Sequence, residues 1–159
     1  AVKARSLSLE ENTMVTKEGW QWALPSMLTK GGSLTSVNVG WNGITGDAAD
    51  QLANVVLEHA SMTNFCGIPL ISLRENCITE LNLDGKGVGV PGAIVLSKLL
   101  PSATAITSLN LRDNGLGPKG GTALAEGLKD NLTLQSLDLT WNLIGPEGAS
   151  ALAAVLKDT

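Results

Sequence analysis

The stretch Leu134-Gln-Ser-Leu137-Asp-Leu139-Thr-Trp-Asn142-Leu-Ile144 constrains the chain more than any other, because its apolar spacing returns at a fixed interval. Ile106-x-x-Leu109-x-Leu111-x-x-Asn114 stands 28 residues before it, and Ile78-x-x-Leu81-x-Leu83-x-x-Lys86 another 28 before that. Successive side chains of a strand point to opposite faces, so the last two leucines of each copy share one face and the residue between them takes the other. A glycine- and proline-rich loop follows each strand: Lys86-Gly-Val-Gly-Val-Pro-Gly92, Asn114-Gly-Leu-Gly-Pro-Lys-Gly120 and Asn142-Leu-Ile-Gly-Pro-Glu-Gly148. Each loop feeds an Ala- and Leu-rich segment with apolar residues at helical spacing. One unit is therefore strand, loop, helix and return. Alone it cannot bury its apolar face, so the units must stack.

The pattern continues upstream with irregularities. Leu34-x-x-Val37-x-Val39-x-x-Asn42-x-Ile44 is a clear unit, with a helix expected around Asp47 to Glu58 that turns Leu52 and Val56 inward. Ala4-x-x-Leu7-x-Leu9-x-x-Asn12-x-Met14 is fainter, and Pro25 in the segment after it predicts a short or kinked helix. Met62-x-x-Phe65 opens a unit of only 16 residues. That is too little chain for a helix, so an extended return is expected, with Leu70 and Leu73 supplying the missing core contacts. Six units thus start near residues 4, 34, 62, 78, 106 and 134. They predict a single α/β domain over residues 1–159, a solenoid with a parallel concave sheet of about six strands and convex helices, one repeat truncated. Lys157-Asp-Thr159 aligns with Lys129-Asp-Asn131, just before a strand, and neither end shows a distinct cap, which suggests a segment of a longer array.

The motif L-x-x-L-x-L-x-x-N/C-x-L is that of the leucine-rich repeat. With its 28-residue period and full helix, the array resembles the ribonuclease-inhibitor-like subfamily. That resemblance implies a horseshoe with a curved sheet on the inside. It is far less specific for function, since the subfamily includes inhibitors, sensor regions of innate immune receptors and activators of Ran-type GTPases. The first expectation is a non-catalytic scaffold that binds a protein partner through the concave face and the strand-end loops. The alternatives are a GTPase-activating module, with Arg112 as the one concave arginine, and an architectural subunit of a large ciliary or photosynthetic assembly.

Composition excludes other classes. The formal net charge is −4, the eleven basic residues are scattered, and there is one Phe and no Tyr. Nucleic acid is disfavoured, because there is neither a basic field nor a stacking platform. No run is long enough to span a membrane. Cys66 and Cys77 are read as reduced thiols in a reducing compartment, which points to the cytoplasm. His59, the single histidine, is read as a solvated residue at a helix end, with no carboxylate cluster or Cys-x-x-Cys beside it. No metal, cofactor or enzymatic role is expected. The glycine-rich loops lack the Lys-Ser/Thr ending that would hold a nucleotide.

The candidate site residues divide in two. Asn12, Asn42, Asn114 and Asn142 are expected to form a structural ladder between turns, interrupted where Lys86 takes the same place and faces solvent. The concave face is expected to carry Ser8, Asn38, Cys66, Asn82, Asn110 and Asp138 in its central row, with Glu10, Ile68, Asp84 and Arg112 two positions further on. Glu80 adds another carboxylate. Trp41 and Trp141 occupy the rim, at the position filled elsewhere by Glu11, Gly85 and Asp113, and Asp113 is expected to pair with Arg112. Tryptophans at such a place are candidate anchors for a partner. A sheet of this size projects only about 380 Å², from about 4.8 Å between strands and about 3.3 Å per residue. A standard interface buries about 800 Å² per partner, so the loops carrying Trp41 and Trp141 would have to contribute.

Overall fold

A computed structural model of the chain describes residues 3–15, 17–28 and 32–156. The elements run β1 (Ser6–Ser8), α1 (Lys17–Met27), β2 (Ser36–Asn38), α2 (Gly46–Glu58), β3 (Asn64–Phe65), β4 (Ile68–Pro69) and α3 (Leu70–Arg74). They continue with β5 (Glu80–Asn82), α4 (Gly89–Leu99), β6 (Ser108–Asn110), α5 (Gly117–Leu128), β7 (Ser136–Asp138) and α6 (Gly145–Leu156). Strands pair in parallel with the leucines in register, Leu7 beside Val37 and Leu81 beside Leu109 beside Leu137. On the other side the helices stack in sequence, α1 on α2, α4 on α5 and α5 on α6. Between the two layers lies one continuous core, in which Val37, Leu52, Leu83, Leu96, Leu109 and Leu124 are fully buried.

The sheet is not the single run of six parallel strands expected. Among the described residues there are two sheets, β1-β2-β3-β4 and β5-β6-β7. The break lies at the truncated unit, where β3 and β4 pair antiparallel. Between them Cys66 and Gly67 both take left-handed backbone conformations, φ 48 and 85. Two such residues in succession form the tight turn that matches strand twist in a hairpin, so the chain doubles back instead of continuing along the solenoid. Cys66 and Ile68, expected on the concave face, are thereby carried into the core.

The return of this unit differs too. It is not extended: Leu70–Arg74 forms a short helix that buries Leu70 and Leu73. With no full helix in the third unit, α2 packs directly on α4. On the loop side the backbones of the second and fourth units touch. A Cβ at Gly40 would stand 2.9 Å from the Lys86 carbonyl oxygen, and one at Gly87 would stand 2.8 Å from the Trp41 amide nitrogen. Glycine is required at both places. The first helix also departs from expectation, since its 11 residues run through Pro25. Buried Trp20, Leu24 and Leu28 hold it to the core, and a proline forfeits one helical hydrogen bond.

Candidate interaction surface

The asparagine ladder is built from three buried residues. Asn114 Nδ2 donates to Leu83 O (2.8 Å) and Arg112 O (2.9 Å), while its Oδ1 accepts from Val88 N (3.0 Å). Asn142 repeats this one turn later, with Nδ2 donating to Leu111 O (2.6 Å) and Oδ1 accepting from Asn114 N (3.0 Å). Asn42 reaches Leu9 O (2.8 Å) and Val39 O (2.8 Å), but its buried Oδ1 has no partner. Asn12 is exposed, and among the described residues its side chain bonds within its own turn, to Leu9 O and Glu10 O. Lys86 is exposed at the ladder position of the fourth unit.

A second repeated device lies on the concave face. Asn38, Asn82, Asn110 and Asp138 each accept with Oδ1 from the backbone N–H two residues on, that of Gly40, Asp84, Arg112 and Thr140, at 2.8–3.0 Å. This is the turn that Asn and Asp side chains favour. It bends each strand into its loop. The recurrence of Asn or Asp at the middle strand position was a signal for it in the sequence. Hydrogen bonds from Thr140, through hydroxyl and backbone N–H, hold the Asp138 carboxyl below the usual carboxylate range, and the charge of Arg112 acts in the same direction.

Next to each ladder residue the backbone turns left-handed. Glu11, Trp41, Asp113 and Trp141 have φ between 50 and 59, and Gly85 has φ 64. Glycine adopts this region freely, whereas a bulky side chain there is an outlier that costs about 1–2 kcal/mol. Trp41 is half-buried and lies across the loops of the following units, with Cδ1 against Gly87 and Cζ3 near Gly115. Trp141 is 68% exposed, and the Arg112 guanidinium carbon sits 4.2 Å from its ring centre. Arg112 thus finds an aromatic face rather than the expected partner Asp113. Beside Trp141, Leu143 is also left-handed (φ 52) and exposed, at the place where Gly43, Gly87 and Gly115 stand in other units.

The remaining concave carboxylates are open to solvent. Glu80 and Asp84 are exposed, and Glu10 accepts from Asn38 Nδ2 at 3.1 Å. Two residues sit elsewhere than expected. His59 is 2% exposed and both its ring nitrogens are buried without a hydrogen-bond partner. Just beyond α2 the chain turns there, Met62 N donating to His59 O, and α3 docks alongside, with Arg74 donating to Leu57 O at 3.0 Å. No spacing in the sequence signals that cover. Cys66 is buried, accepts from Val39 N at Sγ (3.4 Å), and burial pushes its thiol up to about 12. Cys77 is exposed, and both thiols are free. Among the described residues no helix is long and apolar enough to cross a membrane, and no cluster of His, Cys, Asp or Glu could hold a metal ion.

Comparison with known proteins bears on the repeats. The leucine-rich repeat family matches residues 33–53, 103–125 and 130–153. No curated protein matches the chain. Among solved structures, the C-terminal domain of tropomodulin from Caenorhabditis elegans aligns with 96% of this chain and 82% of its own length, at 12% identity and a TM-score of 0.41. The matched segments contain the second, fifth and sixth units described above, with their strands and most of their helices. They support a leucine-rich repeat protein.

Proposed function

We propose that this leucine-rich repeat array is a non-catalytic module that binds a protein partner through its concave face and the loops that rim it. One observation carries the reading: two tryptophans, Trp41 and Trp141, are held left-handed on the rim at a position where the fourth unit places Gly85. Strain of this kind at an aromatic on the rim, half-buried in Trp41 and exposed in Trp141, points to a use for the side chain. Glu10, Glu80, Asp84, Asp113 and Asp138 make the surface acidic and suit a partner with basic groups rather than nucleic acid. Among the described residues Arg112 is the one concave candidate for a nucleotide-directed arginine, and its contact with Trp141 counts against the GTPase-activating reading.

The test is affinity capture from the source cell with the full chain and two kinds of variant. A protein retained by the wild type and by Lys98→Glu on the helix side, yet lost with the double change Glu80→Lys and Asp84→Lys, supports the reading. Loss with Lys98→Glu and retention with the concave pair would overturn it and favour an architectural role for the convex helices.

A further inference from the structure

The ladder gap at Lys86 leaves a shaped vacancy. In the regular part of the array two N–H groups of each loop reach the next ladder asparagine: Val88 N and Gly89 N reach Asn114 Oδ1 and O, and Leu116 N and Gly117 N reach Asn142 Oδ1 and O. The equivalent side-chain-seeking donor of the second unit is the N–H of buried Ile44. At the ladder position of the next full unit stands Lys86, which has no side-chain acceptor, and no hydrogen bond from Ile44 N–H is made among the described residues. Ile44 borders a pit of about 170 Å³ between the second- and fourth-unit loops. Its wall is apolar, formed by Val39, Ile44, Val88, Val90 and Pro91, with Trp41 at its rim.

We propose that the pit is the anchor site for an extended segment of a protein partner. One leucine- or phenylalanine-sized side chain fills it, and the segment's backbone carbonyl accepts from Ile44 N–H. Size and chemistry select the occupant: an apolar cavity of about 150 Å³ is known to hold a benzene-sized guest, and the unmet donor of buried Ile44 calls for an acceptor beside the apolar group. Charge selects the flanks. Lys86 is outnumbered by Glu11, Asp84 and Asp113 at neighbouring strand-end positions, so basic residues on either side of the anchor are favoured. The inference rests on the partner-binding reading and narrows it to one anchor.

The experiment titrates the 15N-labelled full chain with capped pentapeptides Lys-Lys-Leu-Lys-Lys and Lys-Lys-Phe-Lys-Lys. Controls carry Ala at the centre or Glu at the flanks. Amide shifts at Ile44 and Thr45 and an indole shift at Trp41 are expected, with affinity lower by about tenfold or more for the Ala peptide, the loss of one buried apolar side chain. Lys86→Asn supplies the missing ladder acceptor and is expected to abolish the shifts. Val90→Phe fills the pit and is expected to do the same. Equal binding of the Ala or Glu peptides, or shifts that survive both substitutions, overturns the proposal. Shifts at Asp84 and Asp138 without any at Ile44 and Thr45 also overturn the pit, while leaving standing the wider reading, which the capture experiment tests without using the pit.

Discussion

Arg112 lies with its guanidinium 4.2 Å from the centre of the Trp141 ring, a contact between residues of consecutive units that couples the concave face to the rim. At an exposed site it stabilises by about 0.5–1 kcal/mol, and it is set against the left-handed strain at Trp141, φ 59. Two substitutions separate these effects. Trp141→Ala keeps the strain and loses the contact, so it is expected to destabilise by about 0.5–1 kcal/mol. Trp141→Gly loses the contact and relieves the strain, and is expected to be more stable than the alanine variant by about 1 kcal/mol. Urea unfolding of the pair reads the difference, and a glycine variant no more stable than alanine would remove strain from the account.

Asn114 joins three successive turns through bonds to Leu83 O, Val88 N and Asn142 Oδ1. Asn114→Ala leaves Leu83 O, Arg112 O and Val88 N without their side-chain partner, while the bond from Asn114 N to Asn142 Oδ1 stays, and is expected to lower stability by about 1–3 kcal/mol. Asn12→Ala breaks bonds that solvent can replace and is expected to stay within about 0.5 kcal/mol. Similar melting shifts for the two variants would argue against a ladder.

His59 presents the opposite case. Its ring nitrogens are buried and unpartnered, so replacing the imidazole removes a desolvation penalty and breaks no bond. His59→Leu is expected to raise stability by about 1 kcal/mol or more. A fall in the midpoint of thermal unfolding would mean that the ring makes a polar contact after all.

The thiols are expected to react one at a time. In the native protein at neutral pH, Ellman's reagent should titrate one thiol per chain, the exposed Cys77, and in denaturant two. Burial pushes Cys66 up from 9.0 to about 12. Because the folded value lies above the unfolded one, the stability that this thiol contributes is complete below pH 9 and is lost as pH rises towards 12. Cys66→Ala should flatten that alkaline loss.

The architecture could be read from the sequence wherever local spacing and burial agree. Leu81, Leu109 and Leu137 recur at one interval, and the strands they define pair in that register. The ladder role of Asn114 and Asn142 was legible for the same reason. What escaped the reading depends on contacts between units. Cys66 and Gly67 look like ordinary strand and loop residues until both turn left-handed. That hairpin drew Cys66 and Ile68 off the concave face. The burial of His59 depends on a helix that the spacing had given no room. Arg112 had Asp113 as its sequence neighbour, but a side chain one repeat away offered it a flat aromatic surface.

In a stacked repeat protein, cooperativity passes from each unit to the next through their shared interface. Here that succession forks at residues 62–77: helices α2 and α4 meet over the shortened unit, while the strands divide into two separate ladders. Met62, Phe65, Ile68, Leu70 and Leu73 fill the division, every one buried in the common core. The shortest unit is therefore the rivet of the array. Whether the two blocks of strands melt together or apart is decided by five side chains in the segment that least resembles the rest.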